Sequence, residues 1–242
     1  MDAAHPAFDL WNLEVYVSKK YIADALKGAL PQFWGTMLDI GCGEMAYRKL
    51  LLSPPSRAHR YIGLDLEGGD YAKQHRPDLL WDGRSVPLGD ASVDCVLAME
   101  VLEHCPEPEL VLAEAHRVLQ SGGLLFFTVP FLWPLHDVPH DEYRYTPFAL
   151  ERHLRNVGFA EISIKAHGGW DASLAQMIAL WVRRRPMPKR RRAVLQRLAA
   201  PLVRKLMALD RPPTDFMTAP MVNGLFGFAR KPIAEQLIAS EP

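Results

Sequence analysis

The segment Met37-Leu-Asp-Ile-Gly-Cys-Gly-Glu44 constrains the fold more than any other part of the chain. A short apolar run, residues 36–40, leads into two glycines set two positions apart. Glycine there permits positive φ and lets the backbone approach a bound molecule closely. A buried strand entering such a turn is typical of open α/β sheets, which take ligands beyond the C-terminal ends of their strands. The rest of the sequence keeps the same rhythm. Residues 61–66, 93–99 and 124–129 read as further buried strands, the last entered through Gly122-Gly123, and 160–165 and 222–230 as later ones. Helical spacing alternates with them over 10–30 (stopped by Pro31), 47–52 (ended by Ser53-Pro-Pro55), 107–119 and 147–156. Strands alternating with helices predict an α/β fold, a parallel sheet with helices on both faces.

Composition supports one full core. At 242 residues, 49% hydrophobic and 23% charged, the chain is neither disordered nor fibrous. Its three cysteines, Cys42, Cys95 and Cys105, form no CxxC pair, which argues against a disulfide framework or a thiolate zinc site and for a reducing cytoplasm. Residues 1–13 carry acids and no long apolar core, so no signal peptide is read, and no window reaches the length of an ordinary membrane span. The net charge of zero hides an asymmetry. Residues 183–211 hold eleven Lys/Arg and one acid, so the remainder is negative by the same margin. The predicted organisation is an N-terminal helical cover over 1–35, a main α/β domain over 36–169 and 216–232, and a helical basic insertion over 170–215 before the last strand. Within that insertion Trp170, Leu174, Met177, Ile178 and Trp181 share one helical face, read either as core or as a surface. Pro201 is expected to kink or break the second helix.

Further residues stand at useful distances from the glycine turn. Asp65 closes the second strand, 24 positions after Gly41, where a carboxylate can accept both hydroxyls of a ribose. Asp82-Gly83 lies in a loop before the next strand, placed to accept from an exocyclic amine; Ser92-Val-Asp94 opens that strand and Arg117-Val-Leu-x-x-Gly-Gly123 leads into the following one. Taken singly, Asp39 reads as a turn cap and Asp65 as a strand-end acid. As an ordered series over about residues 36–165, they resemble the class I S-adenosylmethionine-dependent methyltransferases. The resemblance implies a Rossmann-like seven-stranded sheet with its last strand antiparallel. It also implies S-adenosyl-L-methionine as cofactor: Asp39, Gly41 and Gly43 around the methionine part, Asp65 on the ribose and Asp82 facing the adenine. Cys42, Leu66, Gly83 and Met99 complete the expected cofactor-binding set. One position departs from the family pattern, since Met45 stands where the third glycine of the loop belongs. A nicotinamide-binding Rossmann domain shares the glycine turn and the ribose acid, but Asp82 and the Arg117–Gly123 stretch favour the methyltransferases.

Methyl transfer from a sulfonium needs an aligned nucleophile and a group that removes its proton. Two clusters can supply that group: Met99-Glu-Val-Leu-Glu-His104, and Pro134-Leu-His-Asp-Val-Pro-His-Asp-Glu-Tyr-Arg-Tyr-Thr146. In one reading His140 or His136 is the base and Asp141 or Asp137 orients the imidazole. In the other, Glu100, Glu103, His104 and a later histidine, His140, hold a divalent cation such as Mg²⁺, Mn²⁺ or Zn²⁺ that lowers the pKa of the acceptor hydroxyl. A helix begun at Glu100 would put Glu100, Glu103 and His104 on one face. The Glu-x-x-Glu-His pattern is similar to the metal site of terminal 2′-O-methyltransferases of small RNAs and to a stretch of ubiquinone-pathway O-methyltransferases, and also to metal-free small-molecule enzymes. The spacing around Thr146 does not match the RNA enzymes. The second cluster, His136 to Pro147, is similar to a stretch of bacterial methyltransferases associated with polysaccharide and glycolipid assembly. That resemblance implies a sugar or glycan hydroxyl as acceptor, bound by Arg144 and the histidines with Tyr143 or Tyr145 stacked on a sugar ring, although Arg144 can equally brace its loop against Asp141 or Glu142. Small-molecule O-methylation of a quinone or natural product, and cofactor binding without turnover, are the alternatives. The basic insertion, residues 170–211, suits peripheral contact with an anionic membrane at its inner face, while the acidic remainder argues against nucleic acid.

Overall fold

The computed structural model describes residues 6–218 and 220–233. Its strands are β1 (Trp34–Ile40), β2 (Arg57–Leu66), β3 (Leu79–Trp81), β4 (Val93–Met99), β5 (Leu119–Pro130), β6 (Ala160–His167) and β7 (Gly224–Arg230). The helices are α1 (Leu13–Ala29), α2 (Arg48–Leu51), α3 (Asp70–His75), α4 (Pro108–Val118), α5 (Pro147–Asn156), α6 (Trp170–Arg184) and α7 (Lys189–Leu209). The seven strands form one sheet in the order β3-β2-β1-β4-β5-β7-β6. β1 pairs in parallel with both β2 and β4, and β4 with β5. β7 runs antiparallel: Gly122 and Gly123 exchange backbone hydrogen bonds with Lys231, each at 3.0 Å. The α/β class, the seven strands and the antiparallel last strand agree with expectation.

The chain divides into two compact units. One comprises residues 28–129, 135–164 and 226–233 and carries the glycine turn. Its central strands are buried along their length, with Leu38, Ile40, Val96, Leu97 and Leu125 to Phe127 inaccessible to solvent, as parallel strands covered on both faces must be. Phe33 meets Phe126 edge-on at 5.7 Å. Arg117, part of the methyltransferase-like series, braces the loop before β4: its guanidinium binds Glu114, Asp90 and the carbonyls of Val86 and Leu88. Asp94 does similar work, accepting from Thr36 N at 2.7 Å across the β1–β4 pair.

The other unit comprises residues 6–27, 130–134, 165–218 and 220–225. Here α1 joins α6 and α7 around Leu13, Val17, Ala175, Ala179, Val182, Ala199 and Val203, and the alanines allow close helix approach. α7 runs unbroken through Pro201, which lies on its exposed side. Trp170, Leu174, Met177 and Trp181 are not core: between 45% and 67% of each is exposed, whereas Ile178 packs partly inward.

Several boundaries and elements differ from the sequence reading, among them β2, which begins at Arg57 and not at 61. β5 starts at Leu119, because Gly122-Gly123 sits within the strand as an irregularity where β4–β5 register shifts, not as a turn before it. β3 and α3, at three and six residues, are too short for periodicity to reveal. No helix starts at Glu100: that residue has φ +55°, and a 3₁₀ turn covers only Leu102–His104.

Candidate active site

Elements converge at the C-terminal ends of β1, β2 and β4. Past β1, Gly41, Gly43 and Met45 take φ of +68°, +49° and +51°. Met45 therefore keeps the left-handed backbone of the glycine it replaces, at a cost of about 1 kcal/mol. Its side chain finds room because β2 presents Gly63: a Cβ there would lie 3.0 Å from Met45 Sδ and 2.9 Å from Cys42 Sγ. The turn is pinned to β2 by Gly41 N and Cys42 N, which both donate to Leu64 O, and by Gly43 N, which donates to Asp65 Oδ2 at 2.9 Å. Asp65 Oδ1 accepts from its neighbour Leu66 N. On β1, Asp39 is buried and accepts from Tyr61 Oη at 2.5 Å; burial pushes its acid up to about 7. Burial, together with Asp39 and Asp65 nearby, raises the Cys42 thiol to about 12, so it is no nucleophile at neutral pH. Just beyond β3, Asp82 Oδ1 accepts from Ser85 N and Arg84 N, bonds that hold its carboxyl below the usual range. Gly83 follows with φ +80°, and a Cβ on it would stand 3.2 Å from Leu66 Cδ2. Carboxylates at three adjoining strand ends, beside glycines that bare the backbone, fit a cationic, hydroxyl-bearing nucleoside such as S-adenosylmethionine.

A second cluster adjoins this one through Val101. A Cβ on Gly41 would come within 2.5 Å of Val101 Cγ2, so the turn lies directly against the segment that leaves β4. At the head of that segment, after Met99, the Glu100 side chain is aimed at β5, where Thr128 Oγ1 donates to Oε1 at 2.8 Å. Glu103 is fully buried, and neither of its carboxylate oxygens has a hydrogen-bond partner. Burial raises both acids, Glu100 to about 7 and Glu103 well above its ordinary value, and the Glu100 charge adds to the effect on Glu103. His104 Nδ1 lies 2.7 Å from His140 O. A carbonyl only accepts, so Nδ1 carries a proton, and Nε2 lies 3.8 Å from Glu103 Oε1 and 4.0 Å from Asp137 Oδ2.

The loop after β5 supplies the opposite wall. His136 packs edge-on against His104, with ring centroids 4.7 Å apart. Asp141 Oδ2 accepts from His136 N at 3.0 Å and faces His136 Nδ1 at 3.3 Å. Arg144 holds both Asp141 oxygens at 2.7 and 2.8 Å and keeps that carboxyl far below the usual range, so it is an anionic acceptor and His136 Nδ1 is the donor. Glu103 O in turn accepts from the backbone of Glu142 and Tyr143. One donor atom each from Glu103, His104 and His136 lie within 4.8 Å of one another.

Of the residues named from sequence, the structure groups Asp39, Gly41, Cys42, Gly43 and Asp65 at the turn, Asp82 with Gly83 and Leu66 beside it, and Glu103, His104, His136, Asp141 and Arg144 in the second cluster. His140 is exposed and joins through its backbone carbonyl, and Glu100 is turned to Thr128. Tyr145 is buried, with its hydroxyl donating to Leu102 O, so it is unavailable to stack on an acceptor as the sequence reading allowed; Tyr143 is the exposed member of that pair. Tyr61 and Thr128 went unnoticed in the sequence because their partners are reached only through strand pairing.

Comparison with known proteins agrees with this fold. Residues 38–127 match the model of a family described as a methyltransferase domain. A sarcosine/dimethylglycine N-methyltransferase of Halorhodospira halochloris is 37% identical over 34% of this chain and 33% of its own length. An uncharacterized methyltransferase of Mycobacterium sp. (strain JLS) is 30% identical over 62% of this chain and 66% of its own. Residues 38–127 are thus a methyltransferase domain. A solved S-adenosylmethionine-dependent methyltransferase of Archaeoglobus fulgidus shares the fold, with a TM-score of 0.53 at 16% identity over 88% of this chain and 97% of that one. The matched segments span between 29% and 66% of the length of the first curated relatives. The family match contains the glycine turn, Asp65, Asp82 and the Glu100–His104 segment, whereas His136, Asp141 and Arg144 lie beyond it.

Proposed function

We propose that the chain transfers a methyl group from S-adenosylmethionine to a hydroxyl of a sugar, glycan or glycolipid. The cofactor supplies an electrophilic methyl carbon. The protein's own residues hold its nucleoside at Asp65 and Asp82, place its charged end beside Asp39, and receive the acceptor's proton. Relatives named for N-methyl and for malonyl-acyl-carrier-protein O-methyl transfer leave the acceptor atom open. The reading for oxygen is carried by one observation: a histidine whose tautomer is set by an Arg-locked aspartate, beside a buried carboxylate, next to the glycine turn. A hydroxyl must lose its proton as the new C–O bond forms, and His136, oriented by Asp141, is built to accept it. The glycan acceptor is supported by the resemblance of the 136–147 stretch and by the exposed Tyr143 ring beside it. Labelled methyl transfer into a glycolipid extract tests the reading. Label appearing in glycolipid supports it, and label entering only free quinones or amines, or cofactor bound with no transfer, overturns it.

The same proposal places the chain at a membrane surface. No helix among the described residues is long and apolar enough to cross a bilayer. α6 nonetheless turns Trp170, Leu174, Met177 and Trp181 to solvent and α7 turns out Val194, Leu198 and Leu202, while seven bases fall within residues 183–192 between them. Exposed aromatics flanked by arginine suit the headgroup region of an anionic bilayer, each base adding about 1 kcal/mol near the surface. Flotation with anionic but not neutral liposomes is the expected result, and equal partition into neither removes the membrane from the proposal.

A further inference from the structure

We infer that Glu103, His104 and His136 form a binding site for one divalent transition-metal ion of the Zn²⁺ type. Four observations carry the inference, and none depends on what is methylated. First, the three donors already lie within 4.8 Å of one another. Tetrahedral zinc with bonds of about 2.0–2.1 Å needs donors about 3.4 Å apart, a closure of about 1.4 Å that side-chain rotation supplies. Second, Glu103 is 0% exposed and neither of its oxygens has a hydrogen-bond partner, so the fold presents a buried carboxyl group whose polar atoms are left unsatisfied. Third, each histidine is oriented by an outer acceptor on Nδ1, His140 O for His104 and Asp141 for His136. Carbonyl and carboxylate partners of this kind fix the tautomer of metal-binding histidines. Fourth, Arg144 hydrogen-bonds both oxygens of Asp141 and neither oxygen of Glu103, so it leaves the Glu103 oxygens open to an ion. Two imidazoles and one carboxylate suit zinc and its neighbours in the first transition row better than Mg²⁺, which prefers oxygen donors. The ligand set differs from the one expected from sequence: His136 takes the place of His140, and Glu100 is spent on Thr128.

With the ion bound, His136 would be its ligand and not the proton acceptor, and the ion would hold the acceptor hydroxyl and lower its pKa in that imidazole's stead; this use rests on the methyl transfer proposed above, whereas the ion's binding does not. The test is equilibrium dialysis of the full chain against Zn²⁺, with Co²⁺ as a spectroscopic probe. The wild type should take up about one equivalent and show visible Co²⁺ bands. Glu103→Gln, which keeps the side-chain shape, and His136→Ala should each weaken uptake at least tenfold, and Asp141→Asn by about 10- to 100-fold through loss of orientation. His140→Ala should leave uptake unchanged, because only its carbonyl takes part. Circular dichroism confirms that each variant is folded. No stoichiometric uptake by the wild type, or uptake unaltered in folded Glu103→Gln and His136→Ala, overturns the site. Metal uptake by protein that fails to bind S-adenosylmethionine would sink the methyl-transfer reading and leave the site standing.

Discussion

Val101 Cγ2 occupies the space where Gly41 would carry a Cβ, 2.5 Å from that ideal position. The glycine turn and the carboxylate–histidine cluster are thus joined by one glycine-to-valine contact. Gly41→Ala meets two obstacles, this clash and a φ of +68°. It should destabilise the fold by about 2–4 kcal/mol and weaken S-adenosylmethionine binding at least tenfold. Val101→Ala in the same chain removes only the clash, so it should restore part of the stability. Thermal melts and calorimetric titration of the two single variants and the double variant measure the coupling, and strictly additive effects would show that the contact does not link the two clusters.

Asp39 makes stability depend on pH. Its folded-state acid sits at about 7 because the carboxyl is buried, against about 4 in the unfolded chain. Between those values the folded state holds a proton that the unfolded state has released, so Asp39 causes stability to fall as pH rises, by up to about 4 kcal/mol. Glu100 and Glu103 act in the same sense. Asp39→Asn should therefore flatten part of the loss between pH 4 and 7 and raise stability at pH 7. Denaturant midpoints across that range are the measurement, and a variant with an unchanged slope would show that Asp39 is ionised throughout.

The sheet was legible in the sequence because β1, β4 and the apolar part of β5 are buried on both faces and so appear as continuous apolar runs. Asp65 and Asp82, proposed to hold the cofactor, were legible in the sequence because they fall at or just past strand ends downstream of Gly41. Tertiary pairings were not. Tyr61 reaches Asp39 only because β1 and β2 pair with Met37 opposite Tyr61 and Asp39 opposite Gly63. That same register explains how a methionine occupies the third glycine's place: the residue opposite Asp39 has no side chain, and Met45 fills the gap. The choice between His136 and His140 also depended on the path of the loop, which local spacing does not specify. In that loop the carbonyl, not the ring, of His140 faces His104.

Asp141 and Arg144 should behave as one unit. The Asp141 side chain is 2% exposed, and Arg144 reaches both its oxygens in the planar forked geometry that lysine cannot reproduce. Arg144→Lys is expected to lower kcat by about tenfold or more while leaving the cofactor Kd unchanged, because the orientation of His136 is lost and Asp65 and Asp82 are untouched. Asp141→Asn should also destabilise the fold by about 3 kcal/mol, since it leaves the guanidinium without its counter-charge. Kinetics at saturating S-adenosylmethionine, set beside cofactor titrations, separate the two effects; an Arg144→Lys variant with native kcat would remove this pair from the chemistry.

α6 takes its N-terminal cap from the far end of α7. Gly169 has no side chain to cap with, and its N–H, like that of Ala172, donates to Asp210, which also accepts from Tyr21 Oη at 2.7 Å. A Cβ on Gly169 would strike Arg211 O at 2.5 Å, so the close approach that brings Asp210 in also forbids a capping side chain at that position. Asp210→Ala strands three donors at once, two of them buried backbone N–H groups, whereas Tyr21→Phe removes only one. The expected costs are about 2–4 kcal/mol for the first and about 1 kcal/mol for the second, and the double variant should cost little more than Asp210→Ala alone because the tyrosine has then already lost its partner. Urea denaturation of the three variants decides the matter. A double variant whose loss equals the full sum would mean that Tyr21 and Asp210 stabilise this helical unit independently, and that the cap needs no third donor to hold it in place.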